Sequence, residues 1–585
     1  MLLKTNPPWY DVLVIPIHRG FAIMHDDTRN ITTAVILSMV FLLVYYGYVA
    51  PMLAPTKDEL AAQSVAVTPV QSVGLDPLAH DAAAVRPLAE VLSESPRFPI
   101  ETTGLKGSLS LSGLLLDDMI LKNFFTELDG KEPVRLLTPP QTDKPDTFLR
   151  IGWLGEGAPP RDALWTADAK KPNHFTWTSP EGLVFTTILS VKNHLLTLQQ
   201  SVHNISPKTL TIAPFALLSR QGPLSDHTGH LVTTGAVGAF DGTLVTKNDS
   251  DLDDMPQGFS SSDASKGWLG LAQHYWFTGL IPEGPVQFRL RRQTEATGLR
   301  HQIDYVAKMP PLLSGRTQSF TTHIFVGPKD AAVLAETQKK LNIPLFDRVI
   351  DYGTFYFITK PLFALLHWLY QQTGTMGAAI LLLTVIVRLL MFPLANKSYQ
   401  SMNKMKDLQP RVDELKARYS GTATEERLQL SQEVMKLYKE NKVNPASGCL
   451  PMLLQLPVFL AMYKILVISL DMRHAPFWGW IPDLSAPDTA YVLNAFGHIP
   501  VDLPSFLHIG VWPLLMGISM YISQLFNPKP TDKTQVILMN TMPIMMVFIA
   551  APLPAGLAIY WTWSNLLSIL QQLYIKKTAK ATKKI

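Results

Sequence analysis

Apolar positions follow two different rules along this chain. Between residues 51 and 340 they come singly or in short alternating runs; from 355 to 576 they gather in blocks long enough to cross a bilayer. A similar block, Ile31–Ala50, stands near the start, twenty residues without a charge. That length suits a transmembrane helix and exceeds a usual signal-peptide core. Pro51 follows in place of a small-residue cleavage motif, so the block reads as an uncleaved signal anchor. Five more spans are predicted at Met376–Leu394, Leu450–Leu470, Gly510–Phe526, Val536–Ala551 and Gly556–Ile575, which with the anchor makes six. The stretch Met1–Ile23 has no clear periodicity, and the natural start is expected at Met24. A native peptide from residues 1–23 in a mass spectrum would contradict that expectation.

Residues 51–75 are rich in Ala, Pro, Val and Gln, a linker composition. Beyond about residue 95 the pattern is that of strands. Gly107–Leu121 alternates polar and apolar residues, Leu183–Val191 and Leu195–Val202 do so more loosely, and His230–Val245 is β-rich and broken by glycines. Turn residues recur every ten or so positions, and such punctuation predicts an all-β sandwich. From Thr354 to Gly374 the chain is dense in Phe, Tyr and Trp, with Lys360, His367, Gln371 and Gln372 interspersed. Aromatic residues favour the membrane–water interface. Lys360 and Pro361 interrupt the run, which predicts an amphipathic helix lying on the outer surface.

Charge sets the orientation. The segment 396–449 carries Lys397, Lys404, Lys406, Arg411, Lys416, Arg418, Arg427, Lys436, Lys439 and Lys442, while 471–509 has only Arg473. Lys529 and Lys533 mark the next connection, and Lys576, Lys577, Lys580, Lys583 and Lys584 mark the tail. Every second connection is basic, so the positive-inside rule places both termini in the cytoplasm and the β domain outside. Within 396–449, Leu408, Val412, Leu415 and Tyr419 form one helical stripe, and Leu430, Val434, Leu437 and Tyr438 a second. A capping box, Thr422 with Glu425, opens the second helix. The pair reads as an antiparallel helical hairpin whose basic surface suits anionic lipid or ribosomal RNA. The net charge of +4 points to no nucleic-acid binder, and the lone Cys449 excludes an internal disulfide and a multi-cysteine metal site.

One residue breaks the apolar pattern. Arg388 lies inside Met376–Leu394, a run that contains no Asp or Glu. A charge there costs at least about 2.5–3.5 kcal/mol, and such residues mark functional sites or snorkel to the headgroups. Pro393 and Lys397 lie about 8–14 Å further along the helix, within reach of a snorkelling arginine. Thr384 lies one turn from Arg388, Gln455 is an isolated amide in the third span, and Asn565 lies one turn from Trp561 in the last. For Gln455 and Asn565 the competing assignment is a hydrogen bond between helices. Lys464, well inside the third span, is expected to snorkel outward.

Long strings carry a resemblance through most of the chain, strongest from Ile350 to Gln572. They are KSYQSMNKMKDLQP at 397–410, LYKENKVNPASGCLPMLLQLPVFLAMY at 437–463, RHAPFWGWIPDLSAPD at 473–488 and PAGLAIYWTWSNLLSILQQ at 554–572. GWLGLAQHYWFTGLIP at 267–282 adds a less distinctive match. The chain resembles the Oxa/YidC/Alb family of membrane insertases. The resemblance implies a polytopic α-helical membrane protein of the bacterial inner membrane. Six transmembrane helices, five of them a core around a hydrophilic groove, would carry a large periplasmic all-β sandwich. The divisions expected are a cytoplasmic N-terminus (1–30), an anchor (31–50), linker and sandwich (51–340), an interfacial helix (341–372), the core (373–575) with its hairpin (396–449), and a basic tail (576–585).

The resemblance also implies a role for Arg388 as the groove cation, with Thr384, Gln455, Tyr560, Trp561 and Asn565 lining the same groove. Family members carry an aromatic pair at 560–561, where tyrosine is common at the second place and this chain has Trp561. The implied work is insertion without chemical catalysis: Arg388 attracts acidic residues of a translocating flank, and the apolar segment leaves sideways into lipid. No cofactor is implied, and no Walker motif occurs. The implied partners are nascent membrane proteins, the ribosome, the Sec translocon, the signal-recognition-particle receptor and membrane lipids. Two other classes make different demands on the sequence. A secondary transporter would show paired repeats and an intramembrane acid, which this chain lacks. A carbohydrate-active outer domain would need a His–Glu pair, and the scattered His194, His203, His227, His230 and His274 single none out.

Overall fold

The computed structural model describes residues 85–128, 130–224, 234–253, 255, 258–261, 263–295, 298–419, 424–441, 443, 450–498, 507–526 and 533–582. The anchor Ile31–Ala50, Met24, the linker 51–75, Thr422, Cys449, His227 and His230 lie outside the described residues. One compact unit gathers the described residues up to Gly353; the other gathers those of Thr354–Leu466 and from Asp471 onward.

The first unit is built from two nine-stranded antiparallel sheets. One runs β1 (Arg97–Glu101), β2 (Leu105–Ser110), β3 (Leu115–Phe125), β5 (Thr147–Gly155), β10 (Ile212–Gln221), β17 (Gly298–Ala307), β16 (Val286–Glu295), β13 (Phe259–Ser260), with β4 (Pro133–Leu137) beside β3. The other runs β12 (Thr243–Lys247), β11 (Gly235–Phe240), β14 (Gly267–Ala272), β15 (Trp276–Glu283), β18 (Thr317–Pro328), β9 (Leu195–Asn204), β8 (Leu183–Lys192), β7 (His174–Thr178), β6 (Thr166–Ala167). Two short helices, α1 (Leu88–Ser93) and α2 (Asp249–Asp253), lie between strands.

Alternation explains the core where it exists. On β8, Leu183, Phe185, Thr187 and Leu189 point inward while their neighbours are half-exposed, the period of two that a half-buried strand requires. The expected run Gly107–Leu121 is two strands, parted by a turn in which Gly113 and Leu114 adopt positive φ. Strands β14 and β15 behave differently, being buried on both faces. Their outer side is covered by the segment after helix α3 (Ala331–Leu341). Trp268 donates its indole N–H to Pro344 O at 2.9 Å, and the Phe346 ring sits 5.1 Å from Trp268 and 5.5 Å from Phe325. Asp330 caps α3 by accepting the Val333 N–H, and Asn342 ends it in the left-handed conformation. The sandwich also encloses charge: Arg300 holds both oxygens of Asp146, at 2.7 and 2.9 Å, and donates to Ser219. A buried pair of this kind is tolerable because the fork is bidentate and Ser219 takes a further donor.

The second unit is helical. Within the expected segment 341–372 the helix, α4, begins only at Tyr356 and runs to Thr373, and Lys360 and Pro361 do not interrupt it. Pro361 stands in the second turn, where its missing N–H deprives only a carbonyl near the helix start. Gly374 ends α4 at φ +70°, and Thr375 alone separates it from α5 (Met376–Asp407). Thirty-two residues make α5 about 48 Å long, against about 30 Å of hydrocarbon. The helix therefore runs on past Leu394 through basic residues that the sequence assigned to the hairpin. The hairpin arms proper are α6 (Gln409–Arg418) and α7 (Thr424–Glu440). Val412, Tyr438 and Val443 form their core with Met405, Leu408, Val434 and Leu437; Leu415, Tyr419 and Leu430 stand outside it. The remaining helices are α8 (Leu450–Ile468), α9 (Val511–Leu525), α10 (Lys533–Ala550) and α11 (Ala555–Thr582). α11 packs on both α5 and α9, α9 also on α10, and α4 on α5. Large apolar side chains such as Leu390, Ile537 and Ile544 remain exposed, as lipid-facing residues do.

The His194 ring of the sandwich is slotted between Gly104 and Gly327. Burial holds its pKa below the ordinary 6.5, outweighing the nearby Val326 backbone and Asp330. The folded state thus prefers neutral His194, and the stability this confers is present above pH 6.5 and lost as pH falls. Lowering the pH from about 7.5 to about 5.5 should depress the melting temperature less in His194→Gln than in the parent. Equal depression would show that other groups dominate.

Candidate functional site

Three helices bring polar groups together around Arg388. Its side chain is half-buried on α5 and reaches α11, where Nε donates to Ser564 Oγ at 3.1 Å and Nη2 donates to the same oxygen. Ser564 lies one turn beyond Tyr560, and its hydroxyl also reaches the Tyr560 phenol. The Gln455 side chain, from α8, also hydrogen-bonds that phenol. Tyr560 and Ser564 are each only 2% exposed. Among the described residues no carboxylate pairs with Arg388. The guanidinium thus rests on a neutral hydroxyl in a bundle whose outer surface is apolar.

The other expected site residues are placed differently. Thr384 is buried one turn from Arg388, and its hydroxyl donates to the Ile380 carbonyl of its own helix at 2.7 Å. Asn565 turns away from Arg388 and donates through Nδ2 to Ser519 Oγ of α9 at 3.0 Å, a hydrogen bond between helices. Trp561 packs its ring 4.5 Å from Phe459 of α8. Lys464 is half-buried on α8 and makes a polar interaction there.

Sequence reasoning passed over Ser564, and with it Ser568 and Gln571. All three are buried, and from Tyr560 they fall at intervals of four, four and three residues, which is one face of α11. That spacing was the available signal. Ser568 Oγ donates to Ser564 O at 2.9 Å. In the sandwich, two histidines not singled out are buried. His323 bonds Glu283 across β18 and β15 at 2.8 Å and Thr197 at 2.9 Å, and His301 lies 2.7 Å from Asp249. Of the histidines named from the sequence, His203 bonds Thr317 and His274 stacks on Tyr275. Among the described residues no group of His, Cys, Asp and Glu has a metal-holding arrangement.

Comparison with known proteins accounts for both units. Residues 368–583 match the family described as 60Kd inner membrane protein, and residues 97–365 match the YidC periplasmic domain. The membrane protein insertase YidC of Rickettsia massiliae is 37% identical over 95% of this chain and 100% of its own length. That of Rickettsia bellii is 36% identical over the same shares. A crystal structure of active YidC insertase, with its first transmembrane domain resolved, is similar over 81% of this chain and 91% of that one, at 18% identity and a TM-score of 0.35. The two family matches make this an inner-membrane protein with a periplasmic domain. The chain belongs to the YidC family of membrane protein insertases, as its motifs implied, and that family is not an enzyme family.

The two ends of this site separate by substitution. Asn565→Ala removes an interhelical bond worth about 0.6 kcal/mol. It should lower resistance to denaturant slightly and leave the insertion rate nearly unchanged. A loss of insertion as deep as that of Arg388→Ala would place Asn565 in the working site.

Proposed function

We propose that this protein inserts nascent inner-membrane proteins by offering their polar flanks a hydrated groove centred on Arg388. The observation that supports this most directly is a cation within the apolar bundle that hydrogen-bonds the neutral hydroxyl of Ser564 and, among the described residues, pairs with no carboxylate. An acidic residue of a client flank can replace Ser564 as the acceptor and gain a charge-assisted bond, roughly twice as strong as a neutral one. The flank then has a shorter dehydrated path to cross. The client's apolar segment moves sideways into lipid, driven by its own transfer free energy. No nucleotide hydrolysis is needed for that sequence of steps.

The positive-inside pattern supports six spans with both termini cytoplasmic and the sandwich in the periplasm. On that topology α6 and α7 stand on the cytoplasmic side. Their basic surface suits the ribosome, the signal-recognition-particle receptor and anionic lipid. Work alone or beside the Sec translocon is compatible with the same groove. Thr384, Gln455, Tyr560, Trp561 and Asn565 belong to this proposal with unequal parts. Gln455 and Tyr560 stand in the polar cluster, Trp561 borders it, and Thr384 and Asn565 support the helices that carry it.

Arg388→Ala should reduce insertion of clients with acidic tails in reconstituted liposomes, and Arg388→Lys should largely retain it. Normal insertion of every client by Arg388→Ala would remove the groove attraction from the mechanism. Deletion of 408–441 should impair insertion while the helical core stays folded; full activity would reduce the hairpin to a spacer. Deletion of about 60–320 should leave much of the activity, whereas deletion of 341–372 should abolish it, because the interfacial helix sets the tilt and depth of α5. The opposite pair of results would reverse the roles assigned to the two regions.

A further inference from the structure

The segment between α8 and α9 is knit together by two aspartates. Asp488 is 1% exposed. Its Oδ1 accepts the Trp480 indole N–H at 2.9 Å and the Ala490 N–H at 3.0 Å, and its Oδ2 accepts the Trp512 N–H at 2.8 Å. Trp512 is the second residue of α9, so Asp488 fastens this loop to the first turn of that helix. Asp483 accepts the His474 and Ser485 N–H groups and the Ser485 hydroxyl, closing the neighbouring turn. A carboxylate with three donors on it, shut away from water, is a strong fixed point.

The same loop grips the beginnings of two further helices. Ala555 N–H donates to Ala486 O at 2.8 Å, and Gly556 N–H donates to Leu484 O at 3.0 Å, so the first residues of α11 hydrogen-bond to the stretch between the two aspartates. At the start of α5, a Cβ on Gly377 would lie 2.3 Å from the Phe477 ring. That ring is held in turn against Trp512, 5.7 Å away and nearly perpendicular. The loop therefore meets the initial turns of α5, α9 and α11 together. Arg388 is about 16 Å along α5 from Gly377, and Ser564 about 12 Å along α11 from Gly556.

We infer that Asp488 and Phe477 are positioning residues for the insertase. The loop they build sets the axial register of α5 against α11, and hence brings Arg388 onto Ser564. Helices packed side by side can slide, since apolar contacts are non-directional. A hydrogen-bonded clamp at one common end removes that freedom. Asp488 touches neither Arg388 nor a client and acts only through the helices it fastens. The functional part of this inference rests on the Arg388 groove; the register part does not.

The test uses the full chain with Cys449→Ser, because Cys449 is its only cysteine. Arg388→Cys with Ser564→Cys, treated with a short bis-thiol cross-linker, reports the register directly. Asp488→Asn keeps an acceptor for Trp480 and Ala490 but turns an amide N–H₂ toward the Trp512 N–H. Gly377→Ala pushes on Phe477, and Phe477→Leu added to it makes room again. Asp488→Asn and Gly377→Ala should each lower the cross-linking yield about threefold or more, and in chains with Arg388 and Ser564 intact should lower insertion about fivefold, equivalent to about 1 kcal/mol. The Gly377→Ala/Phe477→Leu pair should recover both. Recovery separates register from folding, since loss of a packed phenylalanine alone can only destabilise. Unchanged yield in Asp488→Asn and Gly377→Ala would overturn the inference, as would loss without recovery in the double variant. Normal insertion by Arg388→Ala would remove the groove mechanism and leave the cross-linking result to decide the register on its own.

Discussion

Arg388 sits in an apolar bundle with a hydroxyl as its hydrogen-bond partner and, among the described residues, no carboxylate paired with it. A carboxylate beside Arg388 would neutralise it at low local energy and leave nothing for an incoming acid to displace. No partner at all would leave the charge uncompensated in hydrocarbon. Ser564 stands between these extremes. Its hydroxyl satisfies two guanidinium donors yet is a weaker acceptor than any carboxylate, so the bond can be exchanged. Burial of Tyr560 and Ser564 on α11 follows from the same need, because a solvated serine would compete poorly for the cation.

What could be read from the sequence tracks what is unusual in a helix. Arginine in an apolar run is rare enough to be found by inspection. Serine is common in membrane helices, so Ser564 was visible only through its spacing from Tyr560. Asn565 shows the limit of proximity. One residue beyond Ser564, it is rotated by about 100° around α11 and so faces α9 and Ser519. Thr384 shares a face with Arg388, but a β-carbon hydroxyl in a helix can satisfy itself on the preceding turn, and this one does.

In the sandwich the alternating strands β8 and β9 were legible because each has one wet face. Strands β14 and β15 have none, since the chain returns over them after α3, and that covering cannot be inferred from a local pattern. The Thr354–Gly374 run holds a helix, Tyr356–Thr373, which begins later than the expected residue 341. The continuity of α4 through Pro361, and of α5 past Leu394, was hidden because the rules for breaking helices are weaker near a first turn and in packed bundles.

Pro393 gives α5 a mechanical character that its length conceals. The proline cannot bond the Leu389 carbonyl, so the ladder lacks a rung just beyond Arg388. Leu389 is exposed, and so is Pro393. The stiffness of a helix is the sum of such rungs, and bending concentrates where one is missing. A torque applied at the Asp407 end, by anything that seizes α6 and α7, is spent first at this joint. With the clamp inferred at its other end, the arginine would in that sense be shock-mounted: the part of the helix that holds it would be fixed from the far end, and the part that reaches outward would swing without dragging it along.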